Sequence, residues 1–221
     1  MTEQQIMAWV KTHKKALVAS IIGDAKPQKA PIAIIMAGIP GAGKTEFLAH
    51  IVTTFTDTVV IDLDYIASKI DGYKPQNYYA YRKTATIILS ATLDKVLKNK
   101  INFALDGTFS HKNGHKNIER ALRRGFITWL FFIVQDPKLA WIVTQARRQE
   151  TGRPIERDGF VEACHNVVPN IQGTLRAFKK NEHFQAGLVM KEDMQSAKYI
   201  DDPNNIDKIL EDIYTIYKEI I

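Results

Sequence analysis

Residues 32–48 read Ile32-Ala33-Ile34-Ile35-Met36-Ala37-Gly38-Ile39-Pro40-Gly41-Ala42-Gly43-Lys44-Thr45-Glu46-Phe47-Leu48. An apolar strand runs into a glycine-rich loop, and the loop into a helix. Gly38 to Thr45 satisfy G-x-x-x-x-G-K-[ST] in the strand–loop–helix context that gives this motif its meaning. Glycines let successive backbone N–H groups converge on one anion, and the helix start adds its own unsatisfied donors. The motif predicts a phosphate cradle built from Gly38, Pro40, Gly41, Ala42, Gly43, Lys44, Thr45 and Glu46. Lys44 would reach the β- and γ-phosphates, and the Thr45 hydroxyl would hold Mg²⁺. A nucleoside triphosphate with Mg²⁺ is therefore the expected cofactor pair.

The rest of the chain limits what surrounds this cradle. At 221 residues, 45% hydrophobic and 24% charged, it has the length and composition of a soluble domain with a sizeable core. No internal repeat or low-complexity tract is present. The longest apolar runs, such as residues 127–134, are strand-length and too short to span a membrane. The N-terminus lacks a basic segment followed by an apolar one, so no signal peptide is expected. The single cysteine, Cys164, excludes an internal disulfide and fits a cytoplasmic location; its helical surroundings suggest a small core residue. A net charge of +6 favours anionic ligands. The basic stretch 112–124 reads as a solvated helix face, because no aromatic residues interleave with its charges as a nucleic-acid stacking surface requires.

Periodicity predicts an amphipathic helix over residues 3–22, a connection over 23–31, and then alternating strands and helices. Strands are expected at 58–61, 101–105, 127–134 and, more weakly, 187–190. Helices are expected at 82–99, 113–124, from 137 to about 150, 159–180 and 206–220. Residues 70–81 read as a loop entering a helix. The tyrosines there, Tyr73, Tyr78, Tyr79 and Tyr81, have two readings: core, or a surface that stacks on a base or sugar. The alternation predicts a three-layer α/β fold, a mostly parallel sheet with helices on both faces. We expect one P-loop domain over 1–221, with an N-terminal helix and connection (1–30), a core (31–200) and a C-terminal helix (201–221).

Carboxylates stand at two strand ends, Asp62-Leu63-Asp64 and Asp106-Gly107-Thr108, where open parallel sheets bind their ligands. A guanine-reading N-K-x-D segment is absent; Asn99-Lys100-Ile101-Asn102 fails at the fourth position. A motor ATPase would need paired carboxylates after an apolar strand, which Leu105-Asp106 only approaches. A small kinase needs an acceptor base, substrate-gripping groups and arginines over the transferring phosphoryl. Asp62 or Asp64 supplies the first, and Asp106 and Thr108 the second. Arg147, Arg148, Arg153 and Arg157, clustered around Gly152, supply the third.

In order, the P-loop, Val60-Ile61-Asp62-Leu63-Asp64, Leu105-Asp106-Gly107-Thr108, Arg148 and Gly152-Arg153 resemble the zeta toxins over about residues 30–180. Those are bacterial kinases that use ATP to phosphorylate UDP-N-acetylglucosamine on the sugar's 3′-hydroxyl, which implies ATP as the cofactor here. The resemblance implies Lys44, Asp64 as general base, and Arg148 and Arg153 as the catalytic set. It leaves Arg157 as the alternative phosphate-gripping arginine, and Asp62, Asp106 and Thr108 toward the substrate, with Asp62 near Mg²⁺ through water. It also implies a nucleotide-sugar acceptor and an antitoxin protein as partners, with no membrane and no nucleic acid. Two features depart from the family: Asp106 stands where zeta toxins often carry glutamate, and the 65–81 loop is longer, both where the acceptor would bind. Two other readings remain: a phosphotransferase acting on another hydroxyl (an antibiotic, a nucleoside or a nucleic-acid 5′-end), and a nucleotide-dependent switch. The D-x-D pair and the arginines argue against the switch, which needs neither base nor lid.

Overall fold

The computed structural model describes residues 1–55, 57–191 and 197–220, the side chains of Pro203 and Asn204 aside. Residues 192–196 and 221, which fall in the expected core and C-terminal segments, lie outside the described residues.

The centre of the molecule is β1 (Ile32–Ala37), whose residues are apolar throughout and buried beyond the first. A strand without a polar face must be covered on both sides, and that requirement produces a layered α/β fold. The six-stranded sheet has the order β2-β3-β1-β4-β5-β6. Its other members are β2 (Val59–Asp62), β3 (Phe103–Asp106), β4 (Ile127–Val134), β5 (Phe184–Lys191) and β6 (Ala197–Ile200). All pairings are parallel except β5 with β6, which is antiparallel. After β1 the chain moves to one flank for β2 and β3, then to the other for β4 and β5. The loop after β1 therefore opens at the switch point, where such sheets bind ligands.

The helices are α1 (Glu3–Ile22), α2 (Lys44–Ile51), α3 (Leu63–Ser68), α4 (Tyr78–Asn99), α5 (Asn113–Arg123), α6 (Pro137–Thr151), α7 (Arg157–Phe178) and α8 (Pro203–Lys218). Their starts are written in the sequence. Thr2 and Gln5 form a capping box on α1. Asp136 accepts hydrogen bonds from the N–H groups of Lys138 and Leu139, ahead of Pro137 in the first turn of α6. Neighbouring β4 residues show the two covered faces: Phe131 packs on Phe47 of α2, and Phe132 on Tyr217 of α8. α1 and α3 lie against α4, and α7 against α5 and α8.

Several elements differ from expectation. The chain turns into α3 directly after Asp62, α4 begins at Tyr78 within the expected loop, and β5 spans twice the expected length. The short antiparallel β6 was not anticipated; its four residues are mostly exposed and carry no apolar alternation. Cys164 is buried in α7, and burial pushes its thiol up to about 12. The basic stretch forms α5, where Arg123 pairs with Glu119 and Arg120 with Asp94 of α4. Among the described residues no helix is long and apolar enough to cross a membrane.

Candidate active site

The cradle is held open from both sides. The Gly38 N–H donates to the Thr108 carbonyl at 3.1 Å, tying the loop after β1 to the loop after β3. Gly41 has φ 79°, and a Cβ there would stand 2.2 Å from the Ala140 carbonyl oxygen, so the first turn of α6 can lie on the loop only because residue 41 is glycine. Gly43 begins α2 without any side-chain cap. The first N–H groups of this helix therefore remain available to an anion.

Lys44 lies back over its own loop, its Nζ donating to the Ile39 carbonyl at 2.9 Å. Burial lowers its pKa to about 8, opposed first by Asp106; Arg147 and Arg153 lower it further, and Asp64 raises it. An ammonium in this setting gains more from a phosphate than an exposed one does.

Three carboxylates gather on the β2–β3 side. Asp62 and Asp106 are register partners at the ends of adjacent parallel strands. Asp106 is buried and accepts a hydrogen bond from the Thr45 hydroxyl at 2.8 Å. Asp62 caps α3, accepting from the Tyr65 N–H at 2.5 Å. Burial raises Asp62 to about 6; the Tyr65 N–H opposes this, and Asp64 and Asp106 add to it. Asp64, in the first turn of α3, forms an ion pair with Arg153 at 2.5 Å. Burial raises its pKa, while Arg153 and the Tyr78 hydroxyl draw it down.

Thr45 with Asp106 and Asp62 presents hydroxyl and carboxylate oxygens, the donors Mg²⁺ prefers. Among the described residues no group of three or more His, Cys, Asp or Glu forms a cage.

The arginine segment is fastened across the site. α6 ends at Gly152 in a left-handed conformation, and Arg153 follows. The Arg153 guanidinium lies 4.3 Å from the Tyr78 ring centroid, and its Nε is buried without a hydrogen-bond partner. The Glu156 N–H donates to the Tyr79 hydroxyl at 3.1 Å. A Cβ on Gly152 would stand 2.4 Å from Gln76 Nε2, which shows how closely residues 152–156 approach the start of α4. The core reading holds for Tyr81 and Tyr78, and the buried Tyr78 also touches Arg153 and Asp64.

Lys44, Thr45, Asp62, Asp64, Asp106 and Arg153 thus come together. Thr108 lies beside them, its hydroxyl paired with Ser110 at 2.7 Å. Both neighbouring arginines of α6 are exposed; Arg147 pairs with Glu46 and acts on Lys44, and Arg148 lies one position further round the helix. Arg157 lies at the start of α7, lining a groove with His165 and Ile220. Sequence reasoning had no signal for the docking of Gln76, Tyr78 and Tyr79 against residues 152–156, because these contacts join segments far apart in the chain.

No curated protein matches this sequence. Among solved structures, one described as the PezAT chromosomal toxin–antitoxin system of Streptococcus pneumoniae superposes with a TM-score of 0.66 at 16% identity, covering 97% of this chain and 96% of that one. The AvrRxo1-ORF1:-ORF2 complex gives 0.65 at 12% identity, over 96% and 71%. Its structure with ATP gives 0.65 at 11%, over 94% and 70%. These likenesses establish a shared fold. The zeta toxin family profile matches residues 17–202, most of the chain and every element of the site, so this protein belongs to the zeta toxin family.

Proposed function

We propose that this protein is an ATP-dependent kinase that transfers the γ-phosphate to a hydroxyl of a nucleotide sugar such as UDP-N-acetylglucosamine. The observation that carries the reading is the ion pair of Asp64 with Arg153 beside Lys44, which supports assigning the acceptor base to Asp64 and the phosphate-gripping cation to Arg153. In this reading the P-loop N–H groups and Lys44 hold the β- and γ-phosphates. Thr45 and Asp106 would hold a Mg²⁺ ion arriving with the nucleotide, and that ion would supply neutralisation of phosphate charge. Arg153 turns from Asp64 to the transferring phosphoryl, using its unpartnered Nε. Asp64 is thereby freed to take the proton of the acceptor hydroxyl as that oxygen attacks phosphorus and ADP leaves. Arg147, placed to act on Lys44, supplies the second phosphate-facing cation in preference to Arg148.

An antitoxin partner is part of the proposal. The similar structures are described as a toxin–antitoxin system and a two-protein complex, and family membership extends that expectation to this chain.

The reading is tested by incubating purified protein with γ-labelled ATP, Mg²⁺ and a panel of acceptors. Label on UDP-N-acetylglucosamine is expected. Label on an antibiotic, nucleoside or nucleic-acid end would redirect the acceptor, and acceptor-independent turnover alone would remove the kinase reading.

A further inference from the structure

The proposed reaction leaves one cation at the cradle without a role. Lys191 is the last residue of β5, one position beyond the final β4–β5 pair, Val134 with Met190. Its side chain is half-buried and runs along the P-loop. A Cβ built on Gly43 would stand 2.7 Å from Lys191 Nζ, 3.2 Å from Cε and 3.6 Å from Cδ. The ammonium is therefore at contact distance from the end of the loop, where Gly43 leads into α2. Among the described residues no carboxylate pairs with it.

The strand order gives this placement a direction. The acceptor base Asp64 and its neighbours Asp62 and Asp106 follow β2 and β3, on one flank of β1. β4 and β5 lie on the other flank. A triphosphate whose γ-phosphate faces Asp64 must leave the cradle toward β5, carrying its α-phosphate and nucleoside past Lys191. Lys44 and Arg153 serve the γ end; Lys191 stands at the opposite end.

We propose that Lys191 is a nucleotide-binding residue that meets the α- and β-phosphates of a nucleoside di- or triphosphate from the β5 side of the P-loop. The proposal rests on the nucleotide reading above and adds to it a residue that no motif marks. Contact with these phosphates exists before and after transfer, so it holds ground state and transition state alike. It contributes to affinity and leaves the chemical step unchanged.

The test measures ATP, ADP and adenosine binding by titration calorimetry for wild type, Lys191→Met and Lys191→Arg, together with kcat and KM. Lys191→Met keeps the hydrocarbon stem and removes the charge. It is expected to weaken ATP and ADP by a similar factor, about tenfold for a lost charge-assisted hydrogen bond. Adenosine binding and kcat at saturating ATP should be unchanged, and Lys191→Arg should restore most of the affinity. Unchanged ATP and ADP affinity in Lys191→Met would overturn the proposal. So would a loss confined to ATP, which would move the contact to the γ-phosphate, or a fall in kcat at constant KM. Should Lys191→Met lose its thermal transition without nucleotide, the comparison is made on Lys191→Arg and Lys191→Gln, and equal affinity in these two overturns the proposal. Wild-type protein that binds neither ATP nor ADP would remove the nucleotide reading itself, and this inference with it.

Discussion

At the scale of single residues, the site sets Asp62 and Asp64 to different tasks although they are two positions apart. Asp62 caps α3, whereas Asp64 faces Arg153. Asn caps a helix about as well as Asp, so Asp62→Asn keeps α3 and removes a crowded charge. The folded Asp62 carboxyl titrates near 6, above the ordinary value of 3.8. Its contribution to stability is therefore full below about pH 4 and lost as the pH rises through 6. Asp62→Asn is expected to raise the melting temperature at pH 7, with the gain vanishing at pH 4; thermal scans at both values check this. Asp64→Asn is expected to bind ATP normally but to lose most transfer, since it cannot accept the acceptor's proton. Near-normal transfer by Asp64→Asn would assign the base elsewhere.

Lys44 supports a second residue-scale prediction. Its folded pKa is about 8, below the ordinary 10.5, so the empty site holds part of it neutral at pH 8.5. A bound phosphate favours the charged form, and ATP binding is expected to take up protons at that pH. Titration calorimetry in two buffers of different ionisation enthalpy measures the uptake. Lys44→Met should abolish both the uptake and phosphoryl transfer; uptake persisting in that variant would assign the proton to another group.

At the scale of elements, the proposed division of roles among the arginines rests on α6 and the segment after it. Successive helical side chains point about 100° apart, so Arg147 and Arg148 cannot share a face. Arg147 turns toward Glu46 and Lys44, and Arg148 toward solvent. Arg147→Ala and Arg153→Ala are expected to lower kcat by about 10² to 10³, more than they raise KM for ATP, because phosphoryl-gripping arginines act mainly in the transition state. Arg148→Ala is expected to fall far less. Steady-state kinetics on the three variants separates them, and a larger loss at Arg148 than at Arg147 would reverse the assignment. The opening of α4 belongs to the same device: Gln76, Tyr78 and Tyr79 hold residues 152–156 down, so Arg153 is in place before nucleotide arrives.

For the whole molecule, the consequence is linkage. The site takes residues from the ends of β1, β2 and β3 and from the segment after α6, so a nucleotide adds a further link between elements already joined by the core and by the Thr45–Asp106 and Asp64–Arg153 contacts. Ligand at 100 times its dissociation constant stabilises a two-state protein by about 2.7 kcal/mol. In a chain of this size that corresponds to a rise of about 5–10 °C in melting temperature. Thermal scans with ATP and Mg²⁺ should show it; no shift at saturating nucleotide would contradict a site joined across these elements.

The sequence by itself determined the central strand, the cradle and the parallel α/β order. Each depends on local chemistry: an apolar run without a polar face, glycines at set spacing, and carboxylates where strands end. The zeta toxin resemblance was legible because those motifs keep their order along the chain. Tertiary structure alone decided the rest. α3 is six residues long, too short for a helical period to emerge, and β6 has four largely exposed residues and no alternation. The preference for Arg147 over Arg148 proposed above rests on the rotation of α6 about its axis, where Ala140 packs against Gly41 of the P-loop. Lys191 carries no motif, and its place beside Gly43 exists only because parallel pairing sets β5 two strands from β1. Local pattern specifies which elements form, but only their packing fixes which side chains from distant segments share one site.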